Sequence, residues 1–404
     1  MKHIFTKISI IIGIGLFICA CNATKNVADR QRLLVKNSIL VDGKPNKDAV
    51  IDNLLLQKPN NQIFGFKLRL NLFNLAKQNP DSIFRDNFLK NPDKLRRQTW
   101  LLSEKQVKRK GESFMFSGFH KFLKKTGEPP VIVDKAKTEK SVKRIKAYFF
   151  NKGFFNAAIR TSLDTATSKK AIVNYNISKG IVSVLDSIRT QIETPALDSL
   201  FRLNQKLSFL KTGKAYTSSD FDGEQDRITT HFRNSGAFDF QPSNVVFDLD
   251  TIGTKNKINV LLKIKNQQLR NGDSTTTRPF KLYKISRVDI FADLPTAQNK
   301  TITDSVVYKN FHLYSHKKLK YRPKAITDAI FIEQNLLYSD IKDNLTRRYL
   351  NNLKIFNFSS ITYLPDPKNP DALVTKIVLS PKRKYSFGWS TDVLDQANRL
   401  WTKN

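Results

Sequence analysis

The chain has 404 residues, a formal net charge of +34, 40% hydrophobic residues, 29 phenylalanines and two cysteines. That apolar content can fill real cores, and the length suits two to four domains. No apolar run beyond the first twenty residues approaches the ~20 residues of a membrane-spanning helix, so a helical membrane bundle is excluded.

Lys2 and Lys7 flank the start of an apolar run over 8–18, and Ala20 precedes Cys21. This is the layout of a secretory signal that ends in a lipobox. Residues 1–21 are expected to be signal and lipobox, with the Cys21 thiol acylated and cleavage just before it. Several acyl chains give stable anchoring where one is marginal. A plain signal peptide cut elsewhere is the alternative, and Cys19 is disfavoured because bulky Ile18 precedes it. With Cys21 lipidated, no thiol remains for a disulfide or a cysteine metal site.

Residues 22–32 are polar and read as a tether. Leu33-Leu34-Val35 and Ser38-Ile39-Leu40-Val41, on either side of Lys36-Asn37, predict a first strand, and Asp42-Gly43 a turn. Apolar residues then recur at helical spacing over 48–56, 64–77, 82–89 and 92–110, punctuated by Pro59, Pro80 and Pro92. This predicts a helical insertion at about 45–130, with basic outer faces. Residues 90–146 hold 17 Lys/Arg against six Asp/Glu. Lys105, Lys108, Arg109, Lys110, Lys124 and Lys125 form the candidate patch for an anionic partner. A second basic cluster spans His316-Lys317-Lys318, Lys320, Arg322 and Lys324. Outside the cytoplasm such charge meets lipid headgroups, lipopolysaccharide or acidic proteins rather than nucleic acid. A merely solvated basic surface is the other reading.

A pattern then recurs three times. A helix at 141–151, 228–234 or 345–351 runs into an aromatic turn. Two strands follow each: 158–164 and 171–178, 244–250 and 257–265, 360–364 and 372–380. A strand precedes each copy, at 39–42, 182–192 and 283–291. Earlier helices are expected at 198–210 and 328–337. The unit is strand–helix–helix–strand–strand, an α+β layer with helices on one face of a small sheet. Its first-strand or second-strand edge should be partly open.

The turns are Tyr148-Phe149-Phe150-Asn151-Lys152-Gly153-Phe154-Phe155 and His231-Phe232-Arg233-Asn234-Ser235-Gly236-Ala237-Phe238. The third, Tyr349-Leu350-Asn351-Asn352-Leu353-Lys354-Ile355-Phe356, lacks the glycine. This unit resembles the POTRA domain of the BamA/TamA superfamily of outer-membrane assembly proteins. Gln57-Lys58-Pro59-Asn60, the run Leu68-Arg69-Leu70-Asn71-Leu72-Phe73-Asn74-Leu75 and Gly127-Glu128-Pro129-Pro130-Val131-Ile132-Val133-Asp134 narrow the resemblance to TamL-like lipoproteins of Bacteroidota. It implies POTRA-like domains at 33–180, 181–270 and 280–382. It also implies a role in outer-membrane protein assembly, with unfolded outer-membrane proteins as clients and a TamB-like periplasm-spanning partner. The family carries a C-terminal β-barrel. Residues 384–393 read as its opening strand, within a remnant at 383–404, but only 11 residues follow Val393. A barrel of about 16 strands needs roughly 160 residues in strands, so a full barrel is not expected in this polypeptide.

No nucleophile elbow, phosphate-cradling glycine loop or zinc-spaced pair occurs. No cofactor, metal or catalytic residue is expected. The candidate client-binding edges are the second strands, marked by Ile159, Leu163, Val245 and Leu249, where an added strand would gain main-chain hydrogen bonds. Cover by a neighbouring unit is the competing reading. The resemblance implies a lipid-anchored protein of the outer membrane facing the periplasm. Two rival functions stay open: a periplasmic lipoprotein that binds lipopolysaccharide, peptidoglycan or anionic lipid through its basic face, and a nucleic-acid binder whose first residues are not a signal, which a cytoplasmic, unacylated protein would favour.

Overall fold

The computed structural model describes residues 23–382, apart from 64, 87–89, 101–102, 104, 108, 110–112, 114–116, 166–168, 253–254, 272–273 and 294–301. Cys21, Lys108, Lys110 and the strand expected at 384–393 lie outside the described residues. The chain divides into two units, Met1–Val184 with Ala215–Ser218, and Leu185–Lys214 with Ser219–Asn404.

In the first unit, β1 (Leu33–Val41) turns through Asp42 and Gly43, both left-handed, into the short β2 (Lys44–Pro45). Helix α1 (Ala49–Leu54) starts at Asp48, whose carboxylate accepts from the Val50 N–H. Three helices follow: α2 (Leu68–Leu75), α3 (Pro80–Phe84) and α4 (Pro92–Thr99). Then come α5 (Phe119–Thr126) and α6 (Lys135–Asn151), and α6 is capped by the Asp134 side chain. Strands β3 (Ala158–Asp164) and β4 (Lys170–Ser178) close the unit. The sheet order is β2-β1-β4-β3, with β1 parallel and β3 antiparallel to β4.

Alternation decides which face is buried. Val173, Tyr175 and Ile177 of β4 meet Leu34 and Ile39 of β1, Ile145 and Phe149 of α6, and Ile51 and Leu55 at α1. The added segment is therefore narrower than the expected 45–130. Ile51 within the helix and Leu55 at its C-terminal cap enter that core and make α1 the first of the two helices that cover the sheet. The remaining helices, α2 to α5, are the added segment. α4 stops at Thr99 rather than running to Lys110, and α5 was not expected. Its apolar spacing, Phe119, Phe122 and Leu123, is diluted by His120, Lys121, Lys124 and Lys125. The stretch 22–32 is not a free tether over its described part. Val27 is 3% exposed and packs with Leu33 and Leu70.

The second unit holds two more copies. β5 (Val184–Ile192) leads into α7 (Pro195–Leu203) and a 3₁₀ turn at Gln205–Leu207, so the helix expected at 198–210 is shorter and earlier. Helix α8 (Ser218–Asn234), β6 (Val245–Asp250) and β7 (Lys257–Ile264) complete a sheet of order β5-β7-β6. A hairpin of β8 (Gln267–Asn271) and β9 (Ser274–Arg278) follows. The last copy has β10 (Lys284–Phe291), β11 (Asp304–Tyr308), β12 (Phe311–Ser315) and α9 (Pro323–Thr327). It ends with α10 (Asp340–Asn352), β13 (Phe356–Asp366) and β14 (Asn369–Pro381). The order is β11-β12-β10-β14-β13, with β10 parallel to both β12 and β14. No helix forms at 328–337. Ile330 and Ile332 enter the core there, and Asn335 turns the chain with φ +65°.

The helix-to-strand turns are built alike. After α6, the Gly153 N–H bonds the Phe150 carbonyl and the Phe154 N–H bonds the Phe149 carbonyl, both at 3.0 Å. This is a Schellman cap, and the Phe149 and Phe154 rings meet edge-on at 6.0 Å. Gly153 has φ +84°, and a Cβ there would sit 2.8 Å from the Tyr216 carbonyl oxygen. After α8, Gly236 takes the same left-handed position, with the Ala237 N–H on the Phe232 carbonyl. In the third copy Lys354 adopts φ +54°, so the backbone form survives without the glycine. Each glycine carbonyl also holds the segment that leads into the next strand. Gly153 accepts from the Ser183 N–H, whose carbonyl accepts from Tyr216. Gly236 accepts from the Tyr283 N–H, whose carbonyl accepts from Tyr338.

Candidate functional site

An extended ligand needs a strand with one unpaired side. In the first unit the segment just before α6 closes the start of β1, since Leu34 N–H bonds the Val131 carbonyl and Leu33 bridges Ile132. In the last copy the segment before α10 does the same for β10, with Ile285 N–H on Leu336 and Asn335 N–H on Ile285. In the middle copy Leu185 exchanges bonds with Gly213 and Lys214 ahead of α8. The first-strand side is therefore partly closed in every copy. Among the described residues, β3, β6 and β13 each end their sheet with a neighbour on one side only, and β2, β5 and β11 end the same sheets on the other side.

On β3, Ile159, Thr161 and Leu163 lie opposite the core residues Ile177, Tyr175 and Val173. Ile159 packs against the core, while Leu163, farther along, is 48% exposed. Arg160 and Ser162 stand on the opposite face by alternation. On β6 the named residues separate. Val245 is 3% exposed inside the core, and its carbonyl accepts from the α8 side chain of Gln225 at 3.1 Å, so neither offers a contact. Leu249 is 37% exposed, and the open part of the strand is 246–250. Val246, exposed on the outer face, was missed by the sequence reading. It lines a groove of about 430 Å³ with Gln241, Ser243, Asn244, Lys265 and Gln268. Asp248 pairs with Lys263 across the strands. β13, the second strand of the last copy, is an edge as expected of the second strands, and it ends a larger sheet than the sequence implies.

The basic patch is partly described. Lys105, Arg109 and Lys125 are exposed, and Lys124 is half-buried. Lys124 and Lys125 occupy the last turn of α5, where cations complement the helix dipole. Lys124 Nζ also donates to the Gln78 carbonyl. His120 of α5 is held below the ordinary imidazole value by burial, with Lys77 and Lys124 adding to it. Nothing described brings Lys105 or Arg109 onto α5. Among the described residues no group of three His, Cys, Asp or Glu is placed to hold a metal, and no helix is long and apolar enough to cross a membrane.

Within the second unit, Arg233 at the end of α8 gathers five acceptors. Its guanidinium donates to both carboxylate oxygens of Asp340, to the Phe238 and Phe240 carbonyls at 2.7 and 2.8 Å, and to the Tyr338 hydroxyl at 3.1 Å. Asn234 Oδ1 accepts from the Ser339 hydroxyl and the Ile341 N–H. Phe238 sits edge-on to Tyr338 and enters the core of the last copy. Burial opposes the charge on Asp340, but the bonds from Arg233 and Tyr338 outweigh it and keep the carboxyl below its ordinary value. Burial, then the Asp340 carboxylate, pushes the Tyr338 phenol well above its own. The middle and last copies are thereby clamped together.

The POTRA family model, described as surface antigen variable number repeat, matches residues 115–180, which span α5, α6, β3 and β4. No curated protein matches the chain. Among solved structures, the chain is similar to POTRA3-5 of BamA from Haemophilus influenzae. That match has 11% identity and a TM-score of 0.36, and covers 88% of this chain and 99% of that one. It is also similar to POTRA1-3 of the periplasmic domain of Omp85 from Anabaena, at 12% identity and TM-score 0.23 over 64% and 85%. A third is BamA from Haemophilus ducreyi lacking POTRA domains 1-3, at 10% identity and TM-score 0.33 over 49% and 29%.

Proposed function

We propose that this chain is an outer-membrane protein assembly factor whose POTRA-like sheets receive extended segments of client chains. The observation that carries this is the repeated asymmetry of the sheets. The segment before the second helix covers the start of each first strand, and the second strand ends its sheet along its whole length in all three copies. A bare edge is a liability that soluble proteins usually blunt, and main-chain pairing accepts many sequences. Both properties suit unfolded outer-membrane proteins as clients. Lipidation at Cys21 would hold the chain at the outer membrane on its periplasmic side, as in the TamL-like lipoproteins, and a TamB-like protein would be its periplasmic partner. The test places a photo-crosslinking side chain at Ser162 on β3, at Asp250 on β6 and, as control, at Asn174 on the central strand β4. Crosslinks to unfolded barrel proteins at the first two positions alone support the reading. Crosslinks at none, or equally at Asn174, reject it.

A further inference from the structure

The chain that leaves Cys21 is seated on the added helices within two residues. The Ala23 carbonyl accepts from Asn74 Nδ2 at 3.2 Å, and Asn26 Nδ2 donates to Asn74 Oδ1 at 2.9 Å. Lys25 Nζ donates to the Asn74 carbonyl at 3.2 Å. Asn74 is fully buried. Lys169 ties the far end of the segment down through the Val27 carbonyl and the Asp29 carboxylate. Two residues span about 7 Å at full extension, so a lipid on Cys21 would have almost no slack. The membrane surface would lie close to Asn74.

Gln78 links this point to α5. Its amide donates to Asn26 Oδ1 at 3.0 Å, and its carbonyl accepts from Lys124 of α5. The Arg69 guanidinium of α2 bonds the Thr126 carbonyl, and the Arg69 carbonyl accepts from Glu128. α5 therefore lies against α2, beside the seated N-terminal segment. Its sequence, FHKFLKKT, has three lysines and no acidic residue. Leu123 is buried, but Phe119 and Phe122 are 43% and 54% exposed. Large aromatics beside lysines are what an interfacial helix presents to anionic headgroups. The surrounding residues 57–126 carry 16 Lys/Arg against five Asp/Glu.

We infer that α5 is a membrane-resting face: Phe122 enters the interface, and Lys125 meets anionic phospholipid of the leaflet that holds the Cys21 lipid. This rests on the proposed lipidation for its geometry. It turns the lipid from a loose leash into one point of a two-point mount, which fixes how the first unit faces the membrane.

The test uses the full chain isolated from membranes, with the mass of its N-terminal peptide reporting acylation. Phe122→Trp supplies a probe, and the signal of the parent chain, which holds Trp100, Trp389 and Trp401, is subtracted. The protein is reconstituted into phosphatidylglycerol/phosphatidylcholine vesicles with brominated acyl chains. The expected result is severalfold stronger quenching of the probe in anionic than in neutral vesicles, reduced at least twofold in Lys125→Glu while the protein stays vesicle-bound. Vesicle-bound protein with an unquenched probe overturns the inference. So does quenching unaffected by charge reversal, or a face that is quenched only after an acidic protein is removed from it. An unacylated N-terminus would remove the lipidation reading, and quenching on anionic vesicles would still decide the role of α5.

Discussion

Replacing Arg233 tests whether the middle and last copies are clamped as a pair. Removing one partner of a buried ion pair costs about 3–5 kcal/mol, because the other charge is stranded. The side chains of Arg233 and Asp340 keep 23% and 30% of their exposure, so water recovers part of that loss. The Phe238 and Phe240 carbonyls also lose their donor. Arg233→Met should therefore cost about 3 kcal/mol, or about 6–12 °C in the transition of a unit this size. Asp340→Leu should cost less, since Arg233 keeps three other acceptors. Residues that share a network couple by about 0.5–3 kcal/mol. The double variant should accordingly fall short of the summed single losses by about 1.5 kcal/mol or more. Denaturant unfolding of the full chain, followed through the transition that these variants move, measures all four corners. Additive losses, or an Arg233→Met cost under about 1 kcal/mol, within the range of an exposed pair, would refute the clamp.

Acid should weaken the same junction. The Asp340 carboxyl is lowered in the folded chain, so the unfolded chain binds the proton first. The stabilisation is complete above the unfolded value of about 3.9 and drains away as pH falls through the folded one; Asp340→Asn should flatten that acid limb in unfolding curves. Lys354→Gly should stabilise the last copy by about 0.5–1 kcal/mol, because it relieves a left-handed strain of about 1–2 kcal/mol against the extra freedom of glycine in the unfolded chain; a loss of stability in a thermal melt would contradict this. Asn74→Ala should free residues 23–31 at a cost of about 1–3 kcal/mol, seen as faster amide exchange at Val27 and new cleavage after Lys25 or Arg30. Unchanged protection there would mean that Asn74 does not hold the segment.

What the sequence made readable was local. The aromatic–glycine turns after α6 and α8 carry their own cap chemistry, and the strands that follow alternate cleanly, so 158–164 matches β3 residue for residue. Lys354 shows why the third copy looked weaker: the fold demands a left-handed residue, and an L side chain can supply it at a cost in strain. Other features depended on distant partners. β11 and β12 are five-residue strands whose Val306, Tyr308 and Leu313 gain meaning only beside β10. Asn74 is a polar residue that hydropathy places outside, yet it is buried because it satisfies a separate stretch of backbone. Val245 falls on the expected edge strand, but alternation turns it into the core and leaves Val246 outside. At the edges, then, strand order was legible in the repeat, while which side chains face a ligand was not.

Amide hydrogen exchange with a strand-forming ligand tests the edge reading most directly. The full chain is titrated with an extended peptide that carries the alternating apolar pattern of an outer-membrane barrel strand, and exchange is followed residue by residue. If the edges receive clients, amides within 158–164 and 246–250 gain protection, and those of the central strands β4 and β7, already paired on both sides, do not change. Protection that appears only elsewhere, or none at saturating peptide, would contradict the central claim.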